Sequence, residues 1–593
     1  MNAIRSLLSF ALFSAFAVSV HALPVRVVDA QGKPLPTVMV SVAPVTPATI
    51  DASDNGYAEP GKLQRALFET HRFTNTAGTT DLPTGSEPWK LRLRKPGFKD
   101  VLVEGKDYAG KPLVMAAETD PMELAAQKPS NVWTSTVDFG DENLKKEWLL
   151  QCNFCHQQGS VFLRRNRTAE EWSTVIQRMV RYGARLSTEG QKKIPGLISA
   201  HWEKINANPA LLPAATPWPS DLDRFTVREM PIGDSFSQMH DLLHHSNGLI
   251  YVGDNLQDRV YEINPRSGAY TVYKVPPFGS PHGGLLAGRL VDFPKHETYQ
   301  GIHSLAESPK DGHIFITPSY QRRLLEFDPK TKQFSYHAMD QGFYPHTIRF
   351  DAKDRAWFTL ALSNQIAHFD RSTRKFTYYD LPYRSVGERI TTFLMPTLFK
   401  LMSWGLPVAN WAPVDHQSTG VTLPYGIDTA PDGTIWFARL HTDEIGSIDG
   451  ETGKLTMIKT GFKAPRRLRV DRDGNVWIAA FNESLVVRYE PKTGTFTRFD
   501  LPVLPKGSDT PYSLNVDKPR HQVWVNGTNS DSIYRFDIAS QKWDWIPLSR
   551  KGTFTRDVEF SPEGKVYITG AAFPSWHIED AQPTLMEISV AGK

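Results

Sequence analysis

The feature that most restricts the fold is a repeat. From residue 223 onward one grammar recurs seven times: a turn, an apolar-aromatic strand, a second strand, a turn rich in Pro, Thr and Gly, then an outer strand. The central strands hold Ile250-Tyr251-Val252, Ile314-Phe315-Ile316, Ala356-Trp357-Phe358, Ile435-Trp436-Phe437, Val476-Trp477-Ile478, Val523-Trp524-Val525 and Val566-Tyr567-Ile568. One such unit cannot bury both its faces alone, so the units must stack. A spacing of about 40–45 residues with four short strands is that of propeller blades. Residues 223–593 are therefore expected to form a seven-bladed β-propeller. The last unit stops after Leu585-Met586-Glu587-Ile588 without an outer strand, whereas Phe225-Thr226-Val227-Arg228-Glu229 carries an outer-strand pattern ahead of the first unit. Pairing the two closes the ring and removes an exposed edge.

Two of the units, Pro424-Tyr425-Gly426-Ile427…Asp432-Gly433-Thr434-Ile435-Trp436-Phe437 and Pro465-Arg466-Arg467-Leu468…Asp473-Gly474-Asn475-Val476-Trp477-Ile478, carry a Pro-x-x-Ile/Leu…Asp-Gly-x-x-Trp grammar. In this the chain resembles the virginiamycin B lyase-like (streptogramin lyase) propellers. The resemblance implies the fold. It does not carry an activity, because one fold hosts many functions.

The rest of the chain divides by composition. Arg5, the uncharged apolar run Leu7 to Val20 and Val20-His21-Ala22 read as a signal peptide over residues 1–22, cleaved before Leu23. The run is shorter than the roughly 20 residues of a membrane span. The expectation is export to the periplasm. Residues 23–117 read as a small β domain, with strands at Val25-Arg26-Val27-Val28-Asp29, Val38-Met39-Val40-Ser41-Val42 and Trp89-Lys90-Leu91-Arg92-Leu93 and turns at Gln31-Gly32-Lys33-Pro34 and Pro96-Gly97-Phe98. The order resembles the carboxypeptidase-regulatory-like β-sandwich, a module that supports or docks. Residues 118–135 read as a polar linker, 136–206 as helical, and 208–220, with four prolines, as a second linker. Overall the chain is expected to be multidomain and mainly β: a small β-sandwich, a helical domain and the propeller. Hydrophobic residues make up 40% and charged residues 22%, a folded composition, and a net charge of +3 gives nucleic acid no electrostatic footing.

The only two cysteines stand in Cys152-Asn153-Phe154-Cys155-His156. Cys-x-x-Cys-His is the attachment signature of a c-type haem, with both thiols adding to the vinyl groups and the histidine reaching the iron. The alternative, a zinc or redox Cys-x-x-Cys, lacks a second ligand pair and a thioredoxin-like setting. Cys152 and Cys155 are thus read as covalent haem sites and His156 as the proximal iron ligand. Thr168-Ala169-Glu170-Glu171 is a capping box. Trp172, Val175, Ile176, Met179 and Val180 then recur on one helical face, ended by Gly183. Met179 is read as the sixth ligand, with His201 or an open position as alternatives. A thioether ligand raises the haem potential and suits electron transfer. The segment resembles class I cytochromes c, whose methionine usually comes from a loop further downstream. A helix around Ile194, Leu197, Ile198 and Trp202 would close over the haem edge.

Alignment of the repeats brings a second constellation to one step of the innermost strands: His240, His303, His346, Tyr425, Arg466, Tyr512 and Arg556. Such positions ring the central channel. Imidazoles serve as metal ligands or bases and arginines hold anions. The ring is therefore read as a substrate site, and the His trio as the place for an additional metal ion. Insertions at 277–300 and 383–420 lie on the same face as candidate lids. The second contains an apolar stretch, Phe393 to Trp404, expected to be helical and broken at Pro396, with 390–406 as a peripheral membrane or partner contact.

Three functions fit this set. The first is a periplasmic c-type haem oxidoreductase that binds a small polar or anionic substrate at the propeller mouth and passes electrons through the haem to a soluble carrier or quinone-linked partner. The second is a streptogramin lyase-like C–O lyase, in which the haem would have no task. The third is a non-enzymatic electron-transfer or docking protein.

Overall fold

A computed structural model describes residues 21–45, 63–65, 68–84, 88–234, 236–287, 296–406, 408 and 421–591. Residues 1–20 of the expected signal segment 1–22, and parts of both insertions, lie outside the described residues. A strand over His21–Asp29 spans the expected cleavage point, with Leu23 opposite Leu82.

Seven antiparallel sheets carry the repeats, and their innermost strands are Met239–His244, Ile302–Glu307, Pro345–Phe350, Pro424–Thr429, Pro465–Val470, Pro511–Asp517 and Thr555–Phe560. Burial explains the pattern read from the sequence. Second strands such as Ile250–Asp254 and Val476–Ala480 are buried throughout, because a sheet lies against each face. Outer strands such as Gln333–Ala338 are largely exposed. Aromatic residues fill the gaps between neighbouring blades, as where Trp477, Leu514, Val523 and Tyr534 share one core. Two of the central tryptophans are held the same way: Trp357 Nε1 donates to Asp351 at 2.8 Å and Trp477 Nε1 to Asp471 at 2.9 Å, each aspartate coming from the preceding turn. The closing pair is present: Phe225–Pro231 runs antiparallel to Thr584–Val590, with Ile588 opposite Val227.

The N-terminal β region differs from the freestanding sandwich expected over 23–117. Two sheets do face each other across Val25, Val27, Val40, Leu82, Leu91 and Leu93. One of them, however, is continuous with the seventh blade, because Glu69–Phe73 pairs with Phe225–Pro231 and so extends that sheet to eight strands. The physical reason is the edge: the closing strand would otherwise present unpaired amides. Leu63–Arg65 likewise adds a fifth strand to the first blade. Ions reinforce the seam. Arg94 donates twice to Glu579 at 2.9 Å, and Arg550 bridges Glu69 (2.8 Å) and Glu229.

Helices α1 (Pro121–Ala126), α2 (Ser130–Thr134), α3 (Glu142–Cys152), α4 (Ala169–Arg181) and α5 (Thr188–Ala207) follow. The first two occupy what the sequence reads as a polar linker. They fold because Ala125, Val132 and Trp133 enter the helical core beside Trp148, Trp172 and Trp202. The capping box at α4 is made as expected: Glu171 N–H donates to Thr168 Oγ1 at 3.2 Å and Thr168 N–H to Glu171 Oε2 at 2.7 Å. Gly183, at φ +107°, follows the helix end.

Helix α6 (Val386–Ser403) fills the described part of the second insertion. It runs through Pro396, contrary to the expected break. Met395, Leu398 and Phe399 pack with Leu286, Tyr320 and Phe343, and this anchoring on both sides of the proline holds the helix together. Among the described residues no helix is long and apolar enough to cross a membrane.

Candidate functional site

Three remote parts of the chain enclose a cavity of about 550 Å³. The Cys-x-x-Cys-His segment contributes Cys152, Cys155 and His156, and α4 contributes Val175, Ile176 and Met179. The propeller contributes Tyr425, His441, Phe573 and His577, and α6 closes the cavity with Met395, Leu398, Phe399 and Met402. The wall is mainly apolar, as a macrocycle requires.

Both thiols are free, at the end of α3 and just beyond it. Burial, helped by Glu147, raises the Cys152 thiol. His156 Nδ1 lies 3.2 Å from the Gln157 carbonyl, so Nε2 is its remaining ligand atom. Burial lowers the His156 pKa to about 4, which keeps the ring neutral, the form that binds metal. Met179 lines the wall. His201 does not: its Nε2 is 2.8 Å from the Trp133 carbonyl, inside the helical core. Of the closing helix, Ile198 lines the cavity, whereas Trp202 packs behind it.

The fit to a haem can be tested on the donors of the wall. Trp148 Nε1, Gln151 Nε2, Arg167 Nη1, Trp172 Nε1 and Arg185 Nε and Nη2 are buried without a hydrogen-bond partner, and all five residues line the cavity. Buried donors without acceptors are costly. A set made only of donors suits an anionic, acceptor-rich group such as the haem carboxylates.

Sequence reasoning missed His577 and His441. His577 stacks on His156 with centroids 4.0 Å apart and 15° between planes, and its Nδ1 lies 2.9 Å from Ser160 Oγ. Burial, then the neighbouring His156, lowers its pKa to about 2. The readable signal was length: the connection from Val566–Gly570 to Thr584–Val590 is longer than its counterparts in the other blades. His441 is buried on the cavity wall with its pKa lowered to about 3, mainly by burial.

The seven ring residues do come together. His240, His303 and His346 stand in a row with successive ring centroids 3.7 Å apart, and Tyr425 follows His346 at 3.7 Å. Tyr512 closes the circuit, its hydroxyl 3.3 Å from that of Tyr425 and 3.2 Å from His240 Nε2. Arg466 donates to the Tyr425 hydroxyl at 2.7 Å and lies 3.6 Å above the Tyr512 ring. Arg556 donates to the Tyr512 hydroxyl at 2.9 Å. The ring is sealed rather than open. Arg466 stacks on Phe154 at 4.3 Å, Arg556 reaches the Cys155 carbonyl at 3.3 Å, and Phe573 N–H donates to the same carbonyl at 2.9 Å. Thus the Cys-x-x-Cys-His segment sits directly on the mouth, and the ring side chains largely contact one another, with Arg466 Nε and Nη1 and His303 Nδ1 left without a hydrogen-bond partner.

The trio also meets obstacles as a metal site. Ligand atoms of His240, Asp241 and His303 lie within 4.8 Å of one another. Yet Arg467 holds Asp241 at 2.5 Å, and a dication would have to displace it beside Arg466 and Arg556.

Solved structures similar to this chain include β-propellers. A streptogramin B lyase shows 16% identity over 62% of this chain and 98% of its own, with a TM-score of 0.46. Virginiamycin B lyase from Staphylococcus aureus shows 15% identity over 62% and 99%, with a TM-score of 0.45. The RRP9 WD40 repeats show 10% identity over 61% and 97%, with a TM-score of 0.43. Likeness at this level concerns the fold alone. No family model and no curated protein matches the chain.

Proposed function

We propose that the chain is an exported c-type haem protein that transfers electrons, with its one haem c bound between the helical region, the propeller face and α6. The observation that carries this reading is the cavity wall on which Cys152, Cys155, His156 and Met179 meet a set of unpartnered donors. When bound, the haem would supply one-electron redox chemistry. Cys152 and Cys155 would tether it, and His156 and Met179 would bind its iron. Arg167, Arg185, Trp148 and Trp172 would hold its carboxylates, while Leu398, Phe399 and Met402 keep water from it.

Exchange of electrons with a soluble carrier or a quinone-linked partner is assigned to the lid side. There α6 presents Val386, Ile390, Phe393 and Trp404 outward, with Phe393 82% exposed. The streptogramin lyase-like alternative is compatible with the propeller fold, but the ring histidines are buried and face one another, so the haem reading is preferred.

The test is expression with cytochrome c maturation, followed by haem staining of the denatured chain and a pyridine haemochrome spectrum. One covalent haem per chain is expected, and its loss in Cys152→Ala/Cys155→Ala. A wild-type chain that matures without covalent haem overturns the reading.

A further inference from the structure

The propeller axis holds more than the seven mouth residues. In every blade the register between the innermost strand and its neighbour slips across the same two positions, for instance between Met239 and Leu242 and between Thr555 and Val558. This bulge turns consecutive residues toward the channel. A second level therefore lies beneath the mouth, with Asp241, Arg467 and Asp557 as its charged members and Ser304 and Ser513 among the rest. A third follows two residues on, with Arg349, Asp428, Arg469 and Glu559.

The levels are linked. From Tyr512 the path runs to His240 (3.2 Å), to Asp241 (2.8 Å), to Arg467 (2.5 Å) and to Asp557 (3.1 Å). Glu559 stands two residues further on the same strand, 4.0 Å from Arg349. The shaft is closed at the haem end, where Arg466 and Tyr512 are fully buried, and opens at the other, where the Glu559 side chain is 23% exposed. Every level carries buried polar atoms with no hydrogen-bond partner: Arg466 Nε and His303 Nδ1, then Asp241 Oδ2, Ser304 Oγ, Ser513 Oγ and Arg467 Nε, then Arg349 Nη2 and Arg469 Nη2, which stand only at ion-pair distance from Glu559 (4.0 Å) and Asp557 (3.9 Å). Ordered water is the partner such groups take.

We propose that the propeller axis is a water-threaded proton path, entered at Glu559, that couples electron transfer at the haem to proton uptake from the far face of the propeller. The proposal rests on the haem reading above. With the haem bound and reduced by a soluble one-electron donor, one proton from bulk solvent would enter past Glu559 and be held at Asp557 or Glu559. The added negative charge is thereby balanced inside the chain, and oxidation releases both. The groups facing these two carboxylates are Asp241, Arg349, Asp428, Arg467 and Arg469. Burial, then the nearby Asp241, raises the Asp557 pKa to about 7. Burial, then Asp557, raises that of Glu559 to about 8. Both therefore exchange protons near neutrality.

The experiment is a redox titration of the full-length, haem-loaded protein from pH 6 to 9, for wild type, Asp557→Asn and Glu559→Gln. Haem content is read on the same samples. The reduction equilibrium of wild type should become at least threefold less favourable across this range, about 28 mV for one electron. Each variant should lose more than half of that dependence while keeping the wild-type haem spectrum. Glu559 lies at the partly exposed end of the shaft and Glu559→Gln is isosteric, so it reports even if Asp557→Asn fails to fold. A flat wild-type profile, or a slope that survives in both variants, overturns the proton path and leaves the haem reading intact. Absence of covalent haem overturns both.

Discussion

Replacing Arg467 by methionine should destabilise the propeller by about 3–5 kcal/mol, the range for removing one partner from a buried ion pair. Arg467 is fully buried and bonds Asp241 at 2.5 Å and Asp557 at 3.1 Å. Methionine fills most of the volume, so the loss is electrostatic: two carboxylates are left in one ring without their cation. Unfolding entropy of about 2.1 cal/mol/K per residue, over the propeller, converts this loss to a fall of about 4–6 °C in Tm. The assay is a calorimetric scan of the haem-loaded protein at pH 8 and pH 5.

The sign of the pH effect follows from the two aspartates. The Asp241 pKa is well below its ordinary value despite burial, held there by Arg467 and then His240, so it contributes stability that is present above the unfolded pKa and lost as pH falls. Asp557, raised to about 7, works the other way: stability falls as pH rises from the unfolded carboxylate range to about 7. Without Arg467 both carboxylates take up protons more readily, so the deficit should be smaller at pH 5 than at pH 8. Adding Asp241→Asn and Asp557→Asn should recover more than half of it. A Tm within 1 °C of wild type, or an equal deficit at both pH values, would refute the reasoning.

Met179→Ala should remove the thioether ligand, lowering the haem potential and changing the ferric absorption spectrum while covalent attachment persists; an unchanged spectrum assigns the ligand elsewhere. Phe393→Glu with Trp404→Glu should slow reduction by a carrier protein at least several-fold and leave reduction by dithionite unaltered; equal loss with both donors would point to a damaged lid. Glu579, lowered to about 2 by the Arg94 ion pair against the effect of burial, contributes stability above pH 4.5 that is lost as pH falls through 2. Acid unfolding of Arg94→Met followed by tryptophan fluorescence should therefore begin at higher pH than in wild type, and coincident curves would exclude this seam as a source of stability.

Much of this was legible in the sequence because it depends on period. Apolar triplets such as Val476-Trp477-Ile478 must be buried on both sides, which requires stacked sheets, and the missing outer strand of the last unit has its match at Phe225–Pro231. The capping box at Thr168 was equally readable, and Cys152-Asn153-Phe154-Cys155-His156 marks the segment on which the haem proposal rests. What only the tertiary structure decided was who meets whom. Glu69–Phe73 joins the seventh blade because the closing strand leaves an edge, a fact absent from either segment alone. Trp133 draws a polar-looking stretch into helices because its burial outweighs the composition around it. His240 and Arg556 lie far apart in the chain and share a ring only because the blades close. That ring is sealed because Phe154 and Cys155, read from the sequence as haem attachment, rest on Arg466 and Arg556. Sequence periodicity determines elements and their faces through local sterics and burial. Contacts across hundreds of residues follow from closure of the ring, which no window of the sequence contains.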